Sequence, residues 1–489
     1  MPEFDLLVVG GGPGGYVAAI RAAQRGLRVG LVEKERPGGV CLNWGCIPTK
    51  AMLRSAEVYH TVRAAADFGV HADNVRFDFA AVRQRKDGIV KELTDGVAGL
   101  LKANGVTVIE GHARFTAPTT VEVHEVGPSP IFEGGPRYAA APTTAIRQVS
   151  ATDVIIATGS VPALLPIPGA ELPGVITSDG AFGLTEVPKR LAIIGGSAVG
   201  AEWASLFATF GSEVTVVEMQ DRLVPLEDKE IGVALGRSFG KRGITVLTGS
   251  TVTAVAQATG ALRVTVGGPQ ARELDADVVL VGVGRRPNTA ELGLDIAGIT
   301  TDARGFIPVD EQLRTGVEHV YAIGDVTGKA LLAHVASHQG LTAADVIAGH
   351  DAHIDYTVIP AATFTHPEIA SVGLTEDAAR AAGHQVLTAK FPFAALGRAK
   401  TFGETEGFVK IVAGQRHREV LGVHIIGPSA SDLITEGALA ISLEATLDEL
   451  AETIHAHPTL GEIGMETALA GLGLPVHIAP PRKRPGAAS

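Results

Sequence analysis

Two cysteines in residues 40–50 are the side chains best suited to chemistry. Cys41 and Cys46 are the only cysteines in the 489-residue chain, and Lys50 follows the second by four positions. One pair is too few for a disulfide framework, and two sulfurs cannot complete the four-ligand tetrahedral site that structural zinc takes. The spacing therefore favours a reversible dithiol/disulfide pair, and we expect no bound metal.

The residues around Cys46 support this interpretation. Gly45 and Pro48 put a flexible position and a helix-starting residue on either side of the sulfur, as where a loop delivers a thiol to a helix N-terminus. Such an end stabilises a thiolate and favours exchange chemistry. The alternative is two buried thiols that pack as small hydrophobic side chains. The stretch alone leaves both interpretations open.

Composition limits the class of protein. A chain of 489 residues that is 46% hydrophobic and 19% charged predicts a globular protein of roughly three or four domains. A net charge of -12 argues against a nucleic-acid groove and against binding to an anionic membrane. The sequence has no apolar run long enough for a membrane span and no basic start of a secretion signal. We expect a cytoplasmic protein, where thiols stay reduced unless they are catalytic.

A dinucleotide-binding pattern opens the chain. A short apolar strand at residues 5–9 precedes the pattern G-x-G-x-x-G, formed by Gly10, Gly12 and Gly15 together with Pro13. A helical period follows, and a second strand at residues 27–32 ends on Glu33, whose carboxylate can accept hydrogen bonds from a ribose. The glycines let the backbone approach a pyrophosphate at the positive end of the helix. This setting favours a dinucleotide site over an ordinary tight turn.

The same pattern recurs later in the chain. A strand at residues 191–194 leads into Gly195 and Gly200, a helix follows, and the next strand ends on Glu218. The first glycine and the acid are 23 residues apart in both copies. Ser197 stands where a glycine is expected next to the pyrophosphate, and its hydroxyl could either crowd the phosphates or donate to them. Two such patterns predict two cofactors on one chain.

The segments between and after these patterns predict further elements. Residues 51–104 follow a helical period, and residues 106–156 alternate as strands, with a loop rich in proline and glycine at residues 127–144. A later strand at residues 320–325 ends on Asp325, which we expect to be exposed at a sheet edge unless it is an ordinary helix cap. From about residue 355 the pattern lacks a dinucleotide signature, which indicates a separate domain.

His457 and Glu462 form a candidate acid–base pair in that last domain. A carboxylate five residues after an imidazole can fix its tautomer and hold its pKa near working pH, which suits proton transfer. The chain contains 16 histidines, so most must have structural or solvated roles. Only the acid partner and the stiff Pro458 distinguish His457 from the others.

These motifs together resemble those of the flavoprotein pyridine nucleotide-disulfide oxidoreductases, from residue 5 to about residue 470. The resemblance is carried by residues 10–15, 41–50, 157–159, 195–202, 321–325, 332–334, 365–368 and 455–462. It implies an α/β fold with two Rossmann-like domains, for FAD and NAD, and a C-terminal α+β dimerisation domain. The expected domains are residues 1–158 (FAD, with the disulfide), 159–283 (NAD), 284–353 (central, completing the FAD site) and 354–489 (interface).

The resemblance also implies roles for single residues. Cys41 would exchange with substrate, Cys46 would contact the flavin, and His457 with Glu462 would complete the catalytic set. Lys50 and Glu202 would pair near the flavin, Asp325 would hold its ribityl chain, and Ala333 would lie against its ring. Cofactor contacts are expected at Gly10, Gly12, Pro13, Gly15, Glu33, Lys34, Lys50, Ala113, Thr158, Gly159, Asp325, Ala333, Gly195, Gly200, Glu202, Glu218, Val252 and Gly284.

The activity that the resemblance implies is NAD-dependent oxidation of protein-bound dihydrolipoamide by a homodimer. Its partner would be the lipoyl domain of an acyltransferase or carrier protein, in a 2-oxoacid dehydrogenase complex or the glycine cleavage system. The alternatives are another FAD-dependent disulfide reductase or diaphorase of this fold, or a mainly docking role in such a complex. Mercuric and large thioredoxin reductases would carry cysteines near the C-terminus, which this sequence lacks. Trp44, Ser197 and the loop at residues 127–144 depart from the family pattern.

Overall fold

The computed structural model describes residues 2–127 and 144–479, which fall into two compact units. The first unit contains residues up to 188 together with residues 278–355, and the second contains residues 189–277 together with those from 356 onward. Most of the predicted loop at residues 127–144 lies outside the described residues. Within the described ranges, none of the helices is both long and apolar enough to cross a lipid bilayer.

The first part of the chain carries most of the first unit. Its elements are β1 (Phe4–Val9), α1 (Pro13–Gln24), β2 (Val29–Glu33), α2 (Gly39–Asn43), α3 (Cys46–Arg63), α4 (Phe79–Ala103), β3 (Thr107–Glu110), β4 (His112–Ala117), β5 (Thr120–His124), β6 (Ala145–Ile156), β7 (Ser160–Pro162), β8 (Val175–Thr177) and α5 (Ser178–Ala181).

The second unit begins with β9 (Arg190–Ile194), α6 (Ala198–Thr209), β10 (Glu213–Val217), α7 (Lys229–Lys241), β11 (Thr245–Leu247), β12 (Thr251–Ala258), β13 (Ala261–Gly267) and β14 (Arg272–Ala276). The chain then adds β15 (Val278–Val281), β16 (Arg285–Pro287), β17 (Val320–Ala322) and α8 (Ala333–Ile347) to the first unit. The second unit is completed by β18 (Ala361–Thr363), β19 (Glu368–Gly373), α9 (Glu376–Ala381), β20 (Val386–Pro392), α10 (Gly397–Phe402), β21 (Phe408–Gly414), β22 (Val420–Gly427), α11 (Ala430–Ser442), α12 (Leu447–Glu452) and α13 (Glu462–Gly471).

A parallel sheet in the order β3–β2–β1–β6 forms the centre of the first unit, and β17 pairs with β6 on its other side. Leu6 and Val8 face α1, α4 and α8, whereas Leu7 and Val9 pack with residues of β4 and β5. Because both faces are covered, β1 is apolar along its length instead of alternating. This layering holds the loops that follow β1, β2 and β6 at the carboxyl edge of the sheet.

The second unit repeats the parallel arrangement and adds antiparallel sheets. β9, β10 and β11 pair in parallel, and β12, β13 and β14 form an antiparallel sheet. The C-terminal part is an antiparallel sheet in the order β18–β19–β22–β21–β20, whose apolar core includes residues of α11, α12 and α13. These findings confirm the expected fold class, with two parallel dinucleotide-type sheets and an α+β C-terminal part.

The prediction that residues 51–104 are helical holds for two helices but not for the segment between them. α3 ends at Arg63, and α4 begins only at Phe79, where the Asp78 side chain caps it by accepting from the amides of Ala80 and Ala81. The predicted apolar face is also not uniformly buried. Val97 and Leu101 are buried in α4, but Leu100 is 53% exposed. Helical spacing alone did not show which of these apolar positions the sheet covers.

Candidate functional site

The first dinucleotide-type turn is built by close backbone approach. Gly10 adopts a left-handed φ of 105°, and a Cβ at Gly15 would lie 1.8 Å from the Gly10 carbonyl oxygen. Pro13 is the first residue of α1, whose N-cap is Gly12. The helix can therefore start directly behind the strand, with its N-terminal amides directed toward the turn.

The two acids predicted to bind ribose have the same hydrogen bonds in both copies. Glu33 accepts from the amide of Gly11 at 2.5 Å and from that of Glu35 at 2.7 Å. Glu218 accepts from the amide of Gly196 at 2.6 Å and from that of Gln220 at 2.7 Å. Both carboxylates are thus fixed beside their glycine turns. Burial raises the pKa of Glu33, although the amides of Glu35 and Gly11 lower it.

Residues at the carboxyl edge of the first sheet fit a dinucleotide. The hydroxyl of Thr158, just after β6, is buried without a hydrogen-bond partner among the described residues. Gly159 follows with a left-handed φ of 70°. Burial lowers the pKa of His112, and the charge of Lys34 lowers it further, to about 4. Lys34 therefore lies near His112, the first residue of β4, which is followed by the buried Ala113. The Thr158 hydroxyl could hydrogen-bond to FAD, and the N-terminus of α1 could bind its phosphates.

The second turn is built in the same way, with one difference. Gly195 has a φ of 101°, and a Cβ at Gly200 would lie 1.9 Å from its carbonyl oxygen. Ser197 is the N-cap of α6, and in the described structure its side chain makes no capping hydrogen bond. The hydroxyl is therefore available at the helix end.

Two other predicted cofactor contacts lie elsewhere. Val252 is buried in β12, and Gly284 is exposed after β15, in the first unit.

The two cysteines lie in contact at the start of α3. Cys41 belongs to α2 and is half-buried, whereas Cys46 is the first residue of α3 and is exposed; both are free thiols. The hydrogen bond with Cys46 raises the pKa of Cys41, burial and the charge on Cys46 raise it further, and the charge of Lys50 opposes this shift. The raised pKa favours the protonated form of Cys41.

The surroundings of the pair correct the interpretation of Gly45. Its φ is -136°, so the left-handed region is not the reason for glycine here. Instead, a Cβ would lie 3.0 Å from the Val40 carbonyl oxygen, which leaves little room for a side chain. Trp44 is 4% exposed, with the Arg36 guanidinium 5.5 Å from its ring centroid. Burial, and then the charge of Cys41, raise the pKa of Tyr16, which places this residue, missed from the sequence, near the pair.

The prediction that Asp325 is exposed at a sheet edge was wrong in part, since its side chain is only 24% exposed. Asp325 lies in a short 3-10 turn (Gly324–Thr327) after β17, and its carboxylate accepts from the Ser160 hydroxyl at 2.5 Å. Burial raises the pKa of Asp325, although Ser160 and the charge of Arg285 lower it. Ser160 and Arg285 were missed because they come from β7 and β16, which pair only in the folded chain.

Two other predicted residues begin or line helices. Ala333 is the first residue of α8, and Glu202 is a buried residue of α6 whose carboxylate accepts from the amide of Phe364 at 2.9 Å. Lys50 lies in α3, in the first unit. The predicted pairing of Lys50 with Glu202 joins residues of different units and stays a prediction.

The structure brings the predicted acid–base pair together. His457 lies between α12 and α13, and its Nδ1 is 2.8 Å from Oε1 of Glu462, the first residue of α13. The other carboxylate oxygen accepts from the amide of Thr459 at 2.8 Å. Burial would raise the pKa of Glu462, but Thr459 and His457 together lower it. When Nδ1–H donates to this carboxylate, the neutral ring presents its lone pair at Nε2.

Two further imidazole–carboxylate pairs near His457 were not predicted. His455 Nε2 lies 2.7 Å from Glu436, and His477 Nδ1 lies 2.6 Å from Glu466. The sequence offered a signal only for the first, since His455 and His457 are two residues apart. Their acid partners lie 19 and 11 residues away, so local spacing could not reveal them.

Comparison with known proteins agrees with this geometry. Residues 4–340 match the family described as pyridine nucleotide-disulphide oxidoreductase, and residues 359–468 match the dimerisation domain of that family. The dihydrolipoyl dehydrogenase of Chlamydia muridarum is 44% identical over 98% of this chain and 99% of its own length. That of Geobacillus stearothermophilus is 44% identical over 97% of this chain and 98% of its own.

Solved structures share the fold over nearly the whole chain. LpdA from Mycobacterium tuberculosis has a TM-score of 0.84 at 28% identity and covers 95% of this chain and 98% of its own. The HOCl-induced flavoprotein disulfide reductase RclA from Escherichia coli has a TM-score of 0.83 at 27% identity, over 95% of this chain and 99% of its own.

The chain therefore belongs to the pyridine nucleotide-disulphide oxidoreductase family. Its activity within that family is of the dihydrolipoyl dehydrogenase type, with FAD and NAD as cofactors. The match to the dimerisation domain supports the expected homodimer. The expectations of fold, family, activity and cofactors that the motifs raised are confirmed.

Proposed function

We propose that this chain oxidises the dihydrolipoyl group of a lipoyl domain, with Cys41 and Cys46 as the electron-accepting pair and NAD as the final acceptor. The observation that carries the proposal is the contact between the two sulfurs at the N-terminus of α3. They lie in the same unit as the first dinucleotide-type turn. A dithiol substrate and a dithiol/disulfide pair can exchange two electrons without any other group at the sulfur site.

The exchange balances in two steps. A dihydrolipoyl thiolate attacks Cys41 of the oxidised pair, the Cys41–Cys46 bond breaks, and Cys46 leaves as a thiolate. The second lipoyl sulfur then displaces Cys41 and closes the lipoyl disulfide. The raised pKa of Cys41 means that it takes up a proton as it leaves. The remaining charge stays on Cys46, where the N-terminus of α3 and Lys50, one helical turn away, stabilise a thiolate.

His457 moves the proton that these steps require. Its Nε2 accepts a proton from the attacking dihydrolipoyl thiol, and the resulting imidazolium is stabilised by Glu462 through Nδ1. The same nitrogen gives this proton to the leaving Cys41 and takes the proton of the second lipoyl thiol, so the two thiol protons end on Cys41 and His457. The side chain of His457 is 79% exposed, so a substrate sulfur can reach it. Glu462 is held by Thr459 and keeps the ring orientation through both transfers.

The residues that would hold the cofactors follow the two turns. Glu33, Thr158 and Asp325 would bind FAD beside α1, and Glu218 with Ser197 would bind NAD beside α6. FAD, when bound, takes the electron pair from sulfur and delivers it as hydride to NAD. Two observations support this assignment. Hydrogen bonds hold the carboxylates of Glu33, Asp325 and Glu218 in place, and the Thr158 hydroxyl has no partner among the described residues.

We also propose that the active site is shared across the homodimer, with His457 serving the disulfide of the other subunit. A two-fold interface repeats each contact, so a dimer would contain two composite sites. The partner would be a lipoyl domain on another chain, within a 2-oxoacid dehydrogenase complex or the glycine cleavage system. We expect the enzyme in the cytoplasm, where thiols stay reduced unless they are catalytic.

Subunit complementation tests this function. Cys46→Ser alone should be inactive with dihydrolipoamide, and His457→Gln alone should lose roughly 10²- to 10⁴-fold in rate. Refolding the two together with FAD gives mixed dimers, each with one intact composite site, and should restore about one quarter of wild-type activity. A mixture of Cys46→Ser with Cys41→Ser is the control and should stay inactive, since each chain has lost its disulfide. If mixed dimers form but remain inactive in the first mixture, the shared site is wrong.

A further inference from the structure

A second imidazole–carboxylate pair lies directly behind the proposed base. His455 Nε2 is 2.7 Å from Oε1 of Glu436 in α11, and His455 Nδ1 is 2.9 Å from the Thr453 carbonyl oxygen. The contact between Nε2 and the Glu436 carboxylate links the loop between α12 and α13 to α11.

His455 and His457 differ sharply in exposure. The His455 side chain is 11% exposed, whereas that of His457 is 79% exposed. Within a single chain, the position of the His457 ring therefore depends on its bond to Glu462 and on the backbone that carries it. Two residues earlier, His455 fixes that backbone from the inside of the domain.

Glu436 also touches the helix that carries Glu462. A Cβ on Gly464, in the first turn of α13, would lie 2.9 Å from Oε2 of Glu436. A Cβ on Gly461 would lie 3.7 Å from the ring of His455. The carboxylate of Glu436 thus lies against both the loop of His457 and the helix turn of Glu462. Small residues at these two positions permit the close approach.

A small cavity borders this region. It has a volume of about 20 Å³, roughly that needed for one water molecule, lies beside Glu436 and is lined by Leu433, Leu450, Gly461 and Gly464. The hydrogen bond between His455 and Glu436 ties the loop to α11 beside this space.

We propose that the His455–Glu436 pair positions His457 and Glu462 for proton transfer to and from sulfur. This inference rests on the proposed acid–base function of His457. His455 and Glu436 are positioning residues that act through His457 and take no proton from the substrate. Their loss should misplace Nε2 by a fraction of an ångström to about 1 Å, which suffices to slow a positioned reaction by roughly 10- to 100-fold.

The test compares single and double variants of the FAD-loaded dimer. His455→Gln and Glu436→Ala should each lower kcat for dihydrolipoamide oxidation by about 10- to 100-fold, with KM changed by less than about 3-fold. NADH oxidation by ferricyanide, which needs no dithiol step, should keep the wild-type rate. His353→Gln is the matched control, because His353 also bonds an acid, Asp351, but on an exposed surface of the first unit. The kcat of this variant should equal that of the unmodified enzyme.

The double variant His455→Gln/His457→Gln separates positioning from an independent effect. If His455 acts through His457, the double variant should be no slower than His457→Gln alone. A multiplied loss, or a full dithiol rate in both single variants, would overturn the inference. Should Glu436→Ala fail to fold, Glu436→Gln retains an acceptor oxygen without the charge, and its kcat should fall less than that of His455→Gln. A fully active His457→Gln would instead refute the acid–base function on which the inference rests.

Discussion

Discrimination between NADH and NADPH should depend on the fixed carboxylate of Glu218. This side chain is 5% exposed, and its two oxygens accept from the amides of Gly196 at 2.6 Å and Gln220 at 2.7 Å, so it cannot turn away. A 2′-phosphate would meet this charge at hydrogen-bonding range. Two unit charges about 4 Å apart repel by about 4 kcal/mol at an effective dielectric of about 20. Solvation of the phosphate leaves roughly 3 kcal/mol, so NADH should be preferred about 10²-fold in kcat/KM.

A positive charge beside Glu218 should relax this preference. Met219 is 66% exposed and follows the acid directly, so Met219→Arg offers a guanidinium to the phosphate without disturbing the core. An added attraction of about 1.4 kcal/mol would raise the NADPH to NADH ratio of kcat/KM about 10-fold. Leu226→Arg adds the same charge at a residue that is 92% exposed in the same unit, and it should leave the ratio unchanged.

Steady-state rates of lipoamide reduction with each nucleotide, at one fixed ionic strength, measure the ratio. Comparable efficiency of the unmodified enzyme with NADH and NADPH would refute the role assigned to Glu218. Equal shifts in Met219→Arg and Leu226→Arg would show that net charge, not a local contact, governs nucleotide choice.

Two further predictions concern the second unit. Ser197→Gly should leave the Kd for NAD unchanged or slightly lower, because the N-cap backbone is already extended (φ -77°, ψ -173°); a large loss in a binding titration would show that the hydroxyl donates to phosphate. Lys410→Met should lower the free energy of unfolding by about 3–5 kcal/mol, because it leaves the carboxylate of Asp228, bonded at 3.0 Å and 2% exposed, without its cation. A melting temperature equal to that of Lys400→Met, at an exposed lysine, would contradict this.

Local sequence patterns predicted the parts of the site that are local in the fold. The spacing from Gly10 to Glu33 recurs from Gly195 to Glu218, and each acid bonds the amide that follows its first glycine. A strand, a tight turn and a helix dictate this geometry within about 25 residues. The helix N-terminus at Cys46 was predictable for the same reason, since proline is favoured in the first turn of a helix and Pro48 lies there.

Contacts between distant segments were not predictable in this way. Ser160 bonds Asp325 across 165 residues, and the Asp325 side chain is only 24% exposed at the edge that the strand pattern suggested. The Glu436–His455 bond joins α11 to the loop between α12 and α13. The spacing of apolar residues in these segments does not indicate which polar side chains meet. Such bonds depend on which elements pack together, and one sequence without relatives contains little information about that packing.

The assignment of the two cysteines is the central claim, and the absorbance of the FAD-loaded protein tests it most directly. If Cys46 is the sulfur next to the flavin, Cys46→Ser should lose the long-wavelength charge-transfer band that the unmodified enzyme shows on two-electron reduction. Cys41→Ser leaves a lone Cys46 thiolate at the N-terminus of α3 and should show the band without any reductant. A band in oxidised Cys46→Ser, and none in Cys41→Ser, would reverse the roles of the two sulfurs and contradict the account.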